Sequence, residues 1–153
     1  MAQSDIFSIP LDLCGYSPFV KILFEEKELT MLVDSGACGC LIDRKYIHLP
    51  DDMLGGEQIL TGLGDTTATG HAVMLFFKVG GELFGCPFTT TEMGNTFQNF
   101  PDDLGEIAGI IGGEFLSTYE VLLDYKHGEL RIDRQRIKEI VESIKERFSK
   151  FIK

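Results

Sequence analysis

The stretch Met31-Leu32-Val33-Asp34-Ser35-Gly36-Ala37 decides how this chain is interpreted. Three apolar residues, expected to end a buried strand, lead directly to a carboxylate, and a small hydroxyl residue and a glycine follow it. Such a sequence suits a turn whose backbone N–H groups point back at the Asp34 carboxylate. Gly36 lets the chain fold tightly beneath that acid, and the Ser35 hydroxyl can bond a neighbouring backbone group.

Two glycine-containing segments follow further along the chain. Gly62-Leu63-Gly64 stands between two stretches with strand character, where a hairpin tip must bend. On its own this segment is an ordinary glycine-rich turn, and it lacks the third glycine and the Lys-Ser/Thr pair of a phosphate-binding loop. Gly109-Ile110-Ile111-Gly112 repeats the plan of residues 32–36, a short apolar strand that runs into glycine.

The chain resembles the retropepsin family of aspartic peptidases in three motifs that share the family's order and approximate spacing. They are Leu32-Val33-Asp34-Ser35-Gly36-Ala37, Gly62-Leu63-Gly64, and Ile110-Ile111-Gly112 with Phe115-Leu116. The resemblance covers residues 21–124. It implies a mainly β fold, a closed retropepsin-like β-barrel lobe with a psi-loop and a flap hairpin.

The same resemblance implies the roles of individual residues. Asp34 corresponds to the catalytic carboxylate, which Ser35 and Gly36 hold in place. The substrate-binding residues would be those of the flap and of the cleft floor: Gly62, Leu63, Gly64, Ile111 and Gly112.

Only one Asp-Ser/Thr-Gly triplet occurs in the 153 residues. Aspartic peptidases use two carboxylates about 3 Å apart that share one proton, because two like charges at that distance cannot both ionise. The protonated one polarises the scissile carbonyl, and the ionised one takes a proton from water. The second carboxylate must therefore come from another chain, and a two-fold homodimer would set Asp34 against its own copy. We expect the monomer to be inactive.

Composition favours a single, mainly β domain. A chain of 153 residues can bury most of its surface around one core. Its 17 glycines and 12 phenylalanines, in short apolar runs separated by turn residues, favour strands over helices. No apolar run is long enough to span a bilayer and no signal peptide opens the chain, so a cytoplasmic protein is predicted.

Hairpins are predicted wherever turn residues separate two apolar stretches. They join 19–24 with 29–33, 72–77 with 83–88 across Gly80-Gly81, and 119–125 with 129–132, besides the flap candidate that begins at 57–61. Asp124 also closes an apolar strand and is a rival catalytic acid. It lacks the glycine turn, so a solvated hairpin end is the favoured interpretation.

The segment 134–153 departs from the retropepsin pattern. Apolar residues recur there at three- and four-residue steps, which predicts a C-terminal amphipathic α-helix. Retroviral members close their dimer with terminal strands, so this helix could instead pack on its own lobe, pair across the two-fold axis, or dock on another chain. The predicted organisation is a peptidase lobe at 1–133 and a helix at 134–153, packed on the lobe or on the dimer interface.

Charge is distributed unevenly along the chain. Residues 1–133 hold 7 Lys and Arg against 21 Asp and Glu, a net charge of −14, whereas residues 134–153 hold 7 against 3, a net charge of +4. An acidic body repels nucleic acid, so no nucleic-acid partner is expected. A basic amphipathic tail could lie on an anionic membrane, but mixed Lys and Glu on the solvated face of a packed helix is the more ordinary explanation. Membrane contact is not expected.

The cysteines and histidines carry no recognisable metal or nucleophile pattern. The four cysteines are expected to be thiols, because the chain shows no export signal. Cys38-Gly39-Cys40 lacks the second ligand pair of a zinc site. A cysteine nucleophile with His48 or His71 as its base has no supporting local signature. No metal and no cofactor is predicted.

The sequence thus predicts an aspartic endopeptidase that hydrolyses peptide or protein substrates with a water molecule activated between the two Asp34 carboxylates of a homodimer. The alternative is a non-catalytic peptide-binding or dimerisation module with the same fold. An intact Asp34-Ser35-Gly36 argues against that alternative, because a pure binder gains little from a buried acid pair. Pairing with a different subunit is a third, weaker possibility.

Overall fold

The chain forms a β-rich body followed by a C-terminal helix. The computed structural model describes residues 5–48, 57–61 and 67–148. Its strands are β1 (Ile6–Pro10), β2 (Asp12–Cys14), β3 (Ser17–Phe24), β4 (Lys27–Val33), β5 (Cys40–Asp43), β6 (Glu57–Thr61), β7 (Thr67–Val79), β8 (Glu82–Thr91), β9 (Ile107–Ile111), β10 (Leu122–Asp124) and β11 (Glu129–Asp133). Its helices are α1 (Gly113–Thr118) and α2 (Arg134–Phe148), with 3-10 turns at Arg44–Tyr46 and Asp102–Leu104. The mainly β fold and the C-terminal helix predicted from the sequence are confirmed.

Six of the strands close into a β-barrel. Around the barrel the order is β3, β4, β9, β5, β8 and β7, and a pair between Leu23 of β3 and Lys78 of β7 completes the circle. β2 pairs with β3, and β6 pairs with β7, so both extend the sheet beyond the closed part. The predicted closed barrel is therefore present, and its closure leaves six of the eight strands without a free edge.

Aromatic side chains fill one part of the barrel core. Phe77, Phe84 and Phe115 lie with ring centroids 5.5–6.0 Å apart, and Tyr119 packs 5.2 Å from Phe84. The buried Tyr119 hydroxyl donates to the Gly85 carbonyl at 2.6 Å and accepts the Gly85 N–H at 2.9 Å. Burial raises the pKa of Tyr119 to about 12, so this hydroxyl stays protonated and anchors α1 to β8.

A second, three-stranded sheet and helix α2 cover the barrel. The sheet has the order β1-β11-β10 and is antiparallel throughout. Helix α2 buries Ile137, Val141 and Ile144 and contacts β8 and β11 of its own chain. A side chain at Gly85 would come within 3.2 Å of the Ile144 Cδ1 atom, so glycine permits this close approach. The sequence left three positions open for this helix. In the structure, α2 contacts its own lobe, which is the first of them.

The order of strands around β9 positions the predicted site. β9 lies between β4, to which it is parallel, and β5, to which it is antiparallel. Because Val33 pairs with Ile111, the carboxyl ends of β4 and β9 lie side by side. A Cβ atom at Gly109 would stand 2.0 Å from the Leu41 carbonyl oxygen, so only glycine allows β9 to approach β5 this closely.

The hairpin predicted as a flap is described only in its two strands. β6 pairs with β7 from Glu57 opposite His71 to Thr61 opposite Thr67. Its predicted tip, Gly62, Leu63 and Gly64, lies outside the described residues. In the described ranges, no helix combines the length and the apolar character needed to cross a membrane.

Candidate active site

Asp34 stands at the end of β4, in a turn that its own backbone and side chain close. The Asp34 N–H donates to the Ile111 carbonyl at 3.0 Å, which extends the β4–β9 ladder by one residue. The Asp34 carbonyl accepts the Ala37 N–H at 3.1 Å, and its Oδ1 atom accepts the Gly36 N–H at 2.9 Å. The carboxylate is half-buried, and a backbone N–H points at it as the sequence predicted for this turn.

Ser35 and Gly36 differ in what they contribute to the turn. A Cβ atom at Gly36 would lie 3.2 Å from Asp34 Oδ1, so a side chain there would crowd the carboxylate. The Ser35 side chain is exposed. Within residues 5–48, 57–61 and 67–148, no hydrogen bond of the Ser35 hydroxyl is formed, so its predicted bond to a neighbouring backbone group is not made in the single chain.

Ile111 and Gly112 lie directly beneath this turn, where the chain passes from β9 into α1. Gly112 is the N-cap residue of α1, and the next two N–H groups hold the loop after Asp34. Gly113 N–H donates to the Ala37 carbonyl at 2.6 Å, and Glu114 N–H donates to the Cys38 carbonyl at 2.8 Å. Two free N–H groups in the first turn of α1 are therefore satisfied by carbonyls of the loop after Asp34.

Close packing at Gly112 makes this arrangement specific to glycine. A Cβ atom there would lie 2.0 Å from the Gly39 carbonyl oxygen and 2.9 Å from the Ala37 carbonyl oxygen. By contrast, a Cβ atom at Gly39 would have only the Glu114 carboxylate near it, at 4.0 Å. The two glycines face each other, but only Gly112 has no room for a side chain.

A buried pair of thiols supports the turn from behind, and sequence reasoning missed it. Cys40 Sγ lies 4.0 Å from Cys86 Sγ and accepts the Gly112 N–H at 3.3 Å. The hydrogen bond with Cys86 lowers the pKa of Cys40, against the opposing effect of burial, whereas the same bond raises that of Cys86. All four cysteines are free thiols. No local signal joins Cys40 and Cys86, because their contact arises from the parallel pairing of β5 with β8.

Asp34 forms no ion pair in the part of the chain that the structure describes. The Glu114 carboxylate lies near the loop after Asp34, 4.0 Å from where a Cβ atom at Gly39 would stand. Nor do the described residues contain a group of three or more potential metal ligands. In the described residues, the candidate site of a single chain is thus one carboxylate that accepts the Gly36 N–H.

Asp124, the rival acid, is engaged differently. It ends β10, and its carboxylate accepts the His127 N–H at 3.0 Å and contacts the His127 Nδ1 atom at 2.6 Å. Arg131 also donates to it. The hydrogen bonds from His127, with the Arg131 guanidinium nearby, lower the pKa of Asp124. This carboxylate caps a hairpin turn, as predicted, but its side chain is only 10% exposed and not solvated as the sequence suggested.

A pocket of about 430 Å³ lies at the opposite end of β4 and β9 from Asp34. Its walls include Lys27, Tyr46 and Glu106, with Lys27 and Glu106 forming an ion pair of 2.9 Å. The register places Thr30 of β4 beside Ile107, at the start of β9, so Glu106 and Lys27 are several residues from the Asp34 turn. Of the predicted site residues that the structure describes, Asp34, Ser35, Gly36, Ile111 and Gly112, none lines this pocket.

Comparison with known proteins adds no family assignment. No protein-family model matches the chain, and a search of curated proteins finds no match. The function is therefore inferred from the residues and the geometry described above.

Proposed function

We propose that this chain is a retropepsin-like aspartic endopeptidase that acts as a homodimer. The observation that carries the proposal is the Asp34 turn, in which a half-exposed carboxylate is fixed by the Gly36 N–H at 2.9 Å. Two features of the surrounding fold support it. The barrel is closed, and β9 is inserted between β4 and β5 as a psi-loop requires.

The reaction follows from two such carboxylates meeting on a two-fold axis. One Asp34 is ionised and the other protonated, because two carboxylates at about 3 Å share one proton. The ionised one takes a proton from water as the water oxygen attacks the scissile carbonyl carbon, and the protonated one donates to the carbonyl oxygen. The tetrahedral intermediate then collapses, the C–N bond breaks, and a proton passes to the leaving amine. The products are a carboxylic acid and an amine, and the dyad is ready for another turnover.

The absence of an ion pair at Asp34 in the described ranges fits this chemistry. A neighbouring guanidinium or ammonium stabilises the ionised form of a carboxylate, as Arg131 and His127 do for Asp124. Two carboxylates held ionised in that way could not share a proton. A turn made of neutral backbone N–H groups fixes the position of Asp34 and leaves it able to share one.

Substrate would lie as an extended strand across the paired sites. In the proposal, the β6–β7 hairpin closes on it as a flap, with Gly62, Leu63 and Gly64 at the tip, and Ile111 and Gly112 form the floor. Backbone pairing with a flap strand accommodates many peptide sequences, while side-chain pockets provide preference. No metal or cofactor takes part in the proposed mechanism.

The test is a cleavage assay with an unfolded protein substrate between pH 3 and pH 8, read by mass spectrometry. We expect fragments from the wild type, none from Asp34→Asn, and inhibition of the wild type by a statine-type transition-state analogue. A wild type that is shown to be dimeric and cleaves nothing at any pH would contradict the proposal. Peptide affinity retained by Asp34→Asn would then favour a non-catalytic peptide-binding module.

A further inference from the structure

Tyr16 is the most exposed large hydrophobic side chain in the described part of the molecule. It is 99% exposed, whereas the other exposed large hydrophobic residues there are 45–56% exposed. Tyrosine carries a large apolar ring, and such rings contribute strongly when they are buried at an interface. A fully exposed ring on a rigid element therefore indicates a contact that the single chain does not satisfy.

Tyr16 lies in the short turn of the hairpin between β2 and β3. Cys14 pairs with Ser17, so the connection is a two-residue turn made of Gly15 and Tyr16. Gly15 has a φ of +62°, and glycine with positive φ at the first central position is the preferred way to close so short a hairpin. Tyr16 thus projects from a tight turn and not from a long loop, so little conformational entropy is lost when its side chain is covered.

The register of the sheet places this turn at the same end of the molecule as Asp34. Phe19 of β3 pairs with Leu32 of β4 in an antiparallel arrangement. Asp34 lies two residues beyond Leu32, and Tyr16 lies three residues before Phe19. Because the two strands are antiparallel, Asp34 and Tyr16 lie at the same end of the sheet. Because neighbouring strands are about 4.8 Å apart and rise about 3.3 Å per residue, Tyr16 lies within roughly 10 Å of Asp34.

A second exposed apolar residue extends this surface. Leu13 of β2 is 47% exposed and pairs with Pro18. Among the described strands β2 pairs only with β3, so its other edge is open. The exposed tyrosine and leucine together form an apolar hairpin tip, which we define as Leu13, Gly15 and Tyr16.

We infer that this hairpin tip is part of the homodimer interface, where Tyr16 of each copy packs against the other copy beside its Asp34 turn. The inference rests on the proposed function, which requires a two-fold axis to pass between two Asp34 carboxylates. A residue within roughly 10 Å of an atom on that axis faces the second copy, because every point near a two-fold axis is close to its own symmetry mate. The occupant of the hairpin-tip surface is therefore a second copy of this chain, and each dimer contains the contact twice.

The test compares the dimer dissociation constants of Tyr16→Ser and a matched control, measured by analytical ultracentrifugation. The control is Leu23→Thr, an exposed apolar residue of β3, the strand that follows Tyr16; its pairing partner Glu28 lies at the end of β4 away from Asp34. We expect Tyr16→Ser to raise the dissociation constant by about 30-fold or more, as loss of an interface hot spot does. Leu23→Thr should stay within about threefold of the wild type.

Cleavage distinguishes a lost contact from a damaged site. Tyr16→Ser should lose cleavage at dilute enzyme and recover it at high enzyme concentration, because Asp34 is unchanged. Unaltered thermal unfolding of the variant monomer shows that the fold is intact. A wild type that dimerises and cleaves, with Tyr16→Ser dimerising equally well, overturns the inference and leaves the proposed function standing. A wild type that cleaves as a monomer overturns both.

Discussion

Two aspartates of this molecule, Asp34 and Asp124, both close an apolar strand, and their surroundings differ in one respect. Asp124 is held by charged or ionisable side chains, His127 and Arg131, whereas Asp34 is held by the Gly36 N–H of its own turn. Cations beside a carboxylate fix its ionised state. Neutral N–H groups fix its position without the full charge of an ion pair. The same local pattern therefore produces a structural acid at one site and an available acid at the other.

The residues that follow each aspartate account for this difference. Ser35-Gly36 lets the chain fold back so that an N–H reaches Asp34 Oδ1, and Gly112 packs against the same loop. Tyr125-Lys126-His127 instead brings a histidine ring to Asp124, and the returning strand β11 brings Arg131. The small residues after Asp34 let a backbone N–H bind its carboxylate. The larger polar residues near Asp124 bind its carboxylate with their side chains.

The largest expected effect comes from replacing each acid in turn by asparagine. Asp34→Asn should lower the cleavage rate by at least about 10³-fold, because it removes the group that takes and gives the proton. Its free energy of unfolding should change by less than about 1 kcal/mol, since an amide oxygen can still accept the Gly36 N–H.

Asp124→Asn should have the opposite effects in the same assays, leaving cleavage nearly unchanged and lowering stability. Its cleavage rate at 25 °C should stay within about twofold of the wild type, because Asp124 lies in the β1-β11-β10 sheet and not in the Asp34 turn. Its thermal unfolding temperature at neutral pH should fall, because His127 and Arg131 lose their anionic partner. Equal loss of cleavage in both variants would remove the distinction between the two aspartates.

The second-largest expected effect tests the close packing of Gly112 against the loop after Asp34. Gly112→Ala places a Cβ atom 2.0 Å from the Gly39 carbonyl oxygen, so α1 or the loop after Asp34 must move. We expect it to lower the free energy of unfolding by at least about 3 kcal/mol, at the upper end of overpacking effects.

Gly39→Ala is the matched control on the other side of that contact, because the nearest neighbouring atom would be 4.0 Å away. It should change the free energy of unfolding by less than about 1 kcal/mol. Urea titration followed by circular dichroism measures both variants. Similar stabilities for the two would show that the close packing at Gly112 does not hold the turn.

The smallest effect concerns the pH dependence of stability at Asp124. His127 and then Arg131 lower its pKa in the folded state below the ordinary value of 3.8, so the ionised carboxylate stabilises the fold. This contribution is complete above the ordinary pKa and is lost as the pH falls through the lowered one. The stability difference between wild type and Asp124→Asn should therefore be constant from pH 5 to 6 and shrink as the pH drops toward 2. A difference that grew on acidification would contradict this sign.

The sequence predicted local features well because neighbouring residues determine them. The turn at Gly80-Gly81 was predicted from its glycines, and both have positive φ in a two-residue hairpin. The buried stripe of α2, which includes Ile137, Val141 and Ile144, follows from its helical period. These features need no knowledge of distant strands.

Features that depend on strand order could not be predicted in this way. The contact of Cys40 with Cys86 depends on the parallel pairing of β5 with β8. The close packing of Gly112 against the loop after Asp34 depends on β9 lying between β4 and β5. The exposure of Tyr16 is a property of the assembled fold that no sequence periodicity reveals. The flap tip at Gly62, Leu63 and Gly64 stays a prediction.

The central claim is that each chain supplies half of an active site, and a mixing experiment tests it most directly. Wild-type enzyme at fixed concentration, well above the dimer dissociation constant, is equilibrated with increasing amounts of Asp34→Asn, and cleavage of a peptide substrate is measured. If mixed dimers are inactive, an equal amount of the variant should lower the cleavage rate to about half and a tenfold excess to about one-tenth, because random pairing leaves that share of wild-type chains in fully wild-type dimers. A cleavage rate that does not change at any ratio would contradict the claim and show that one chain carries a complete site.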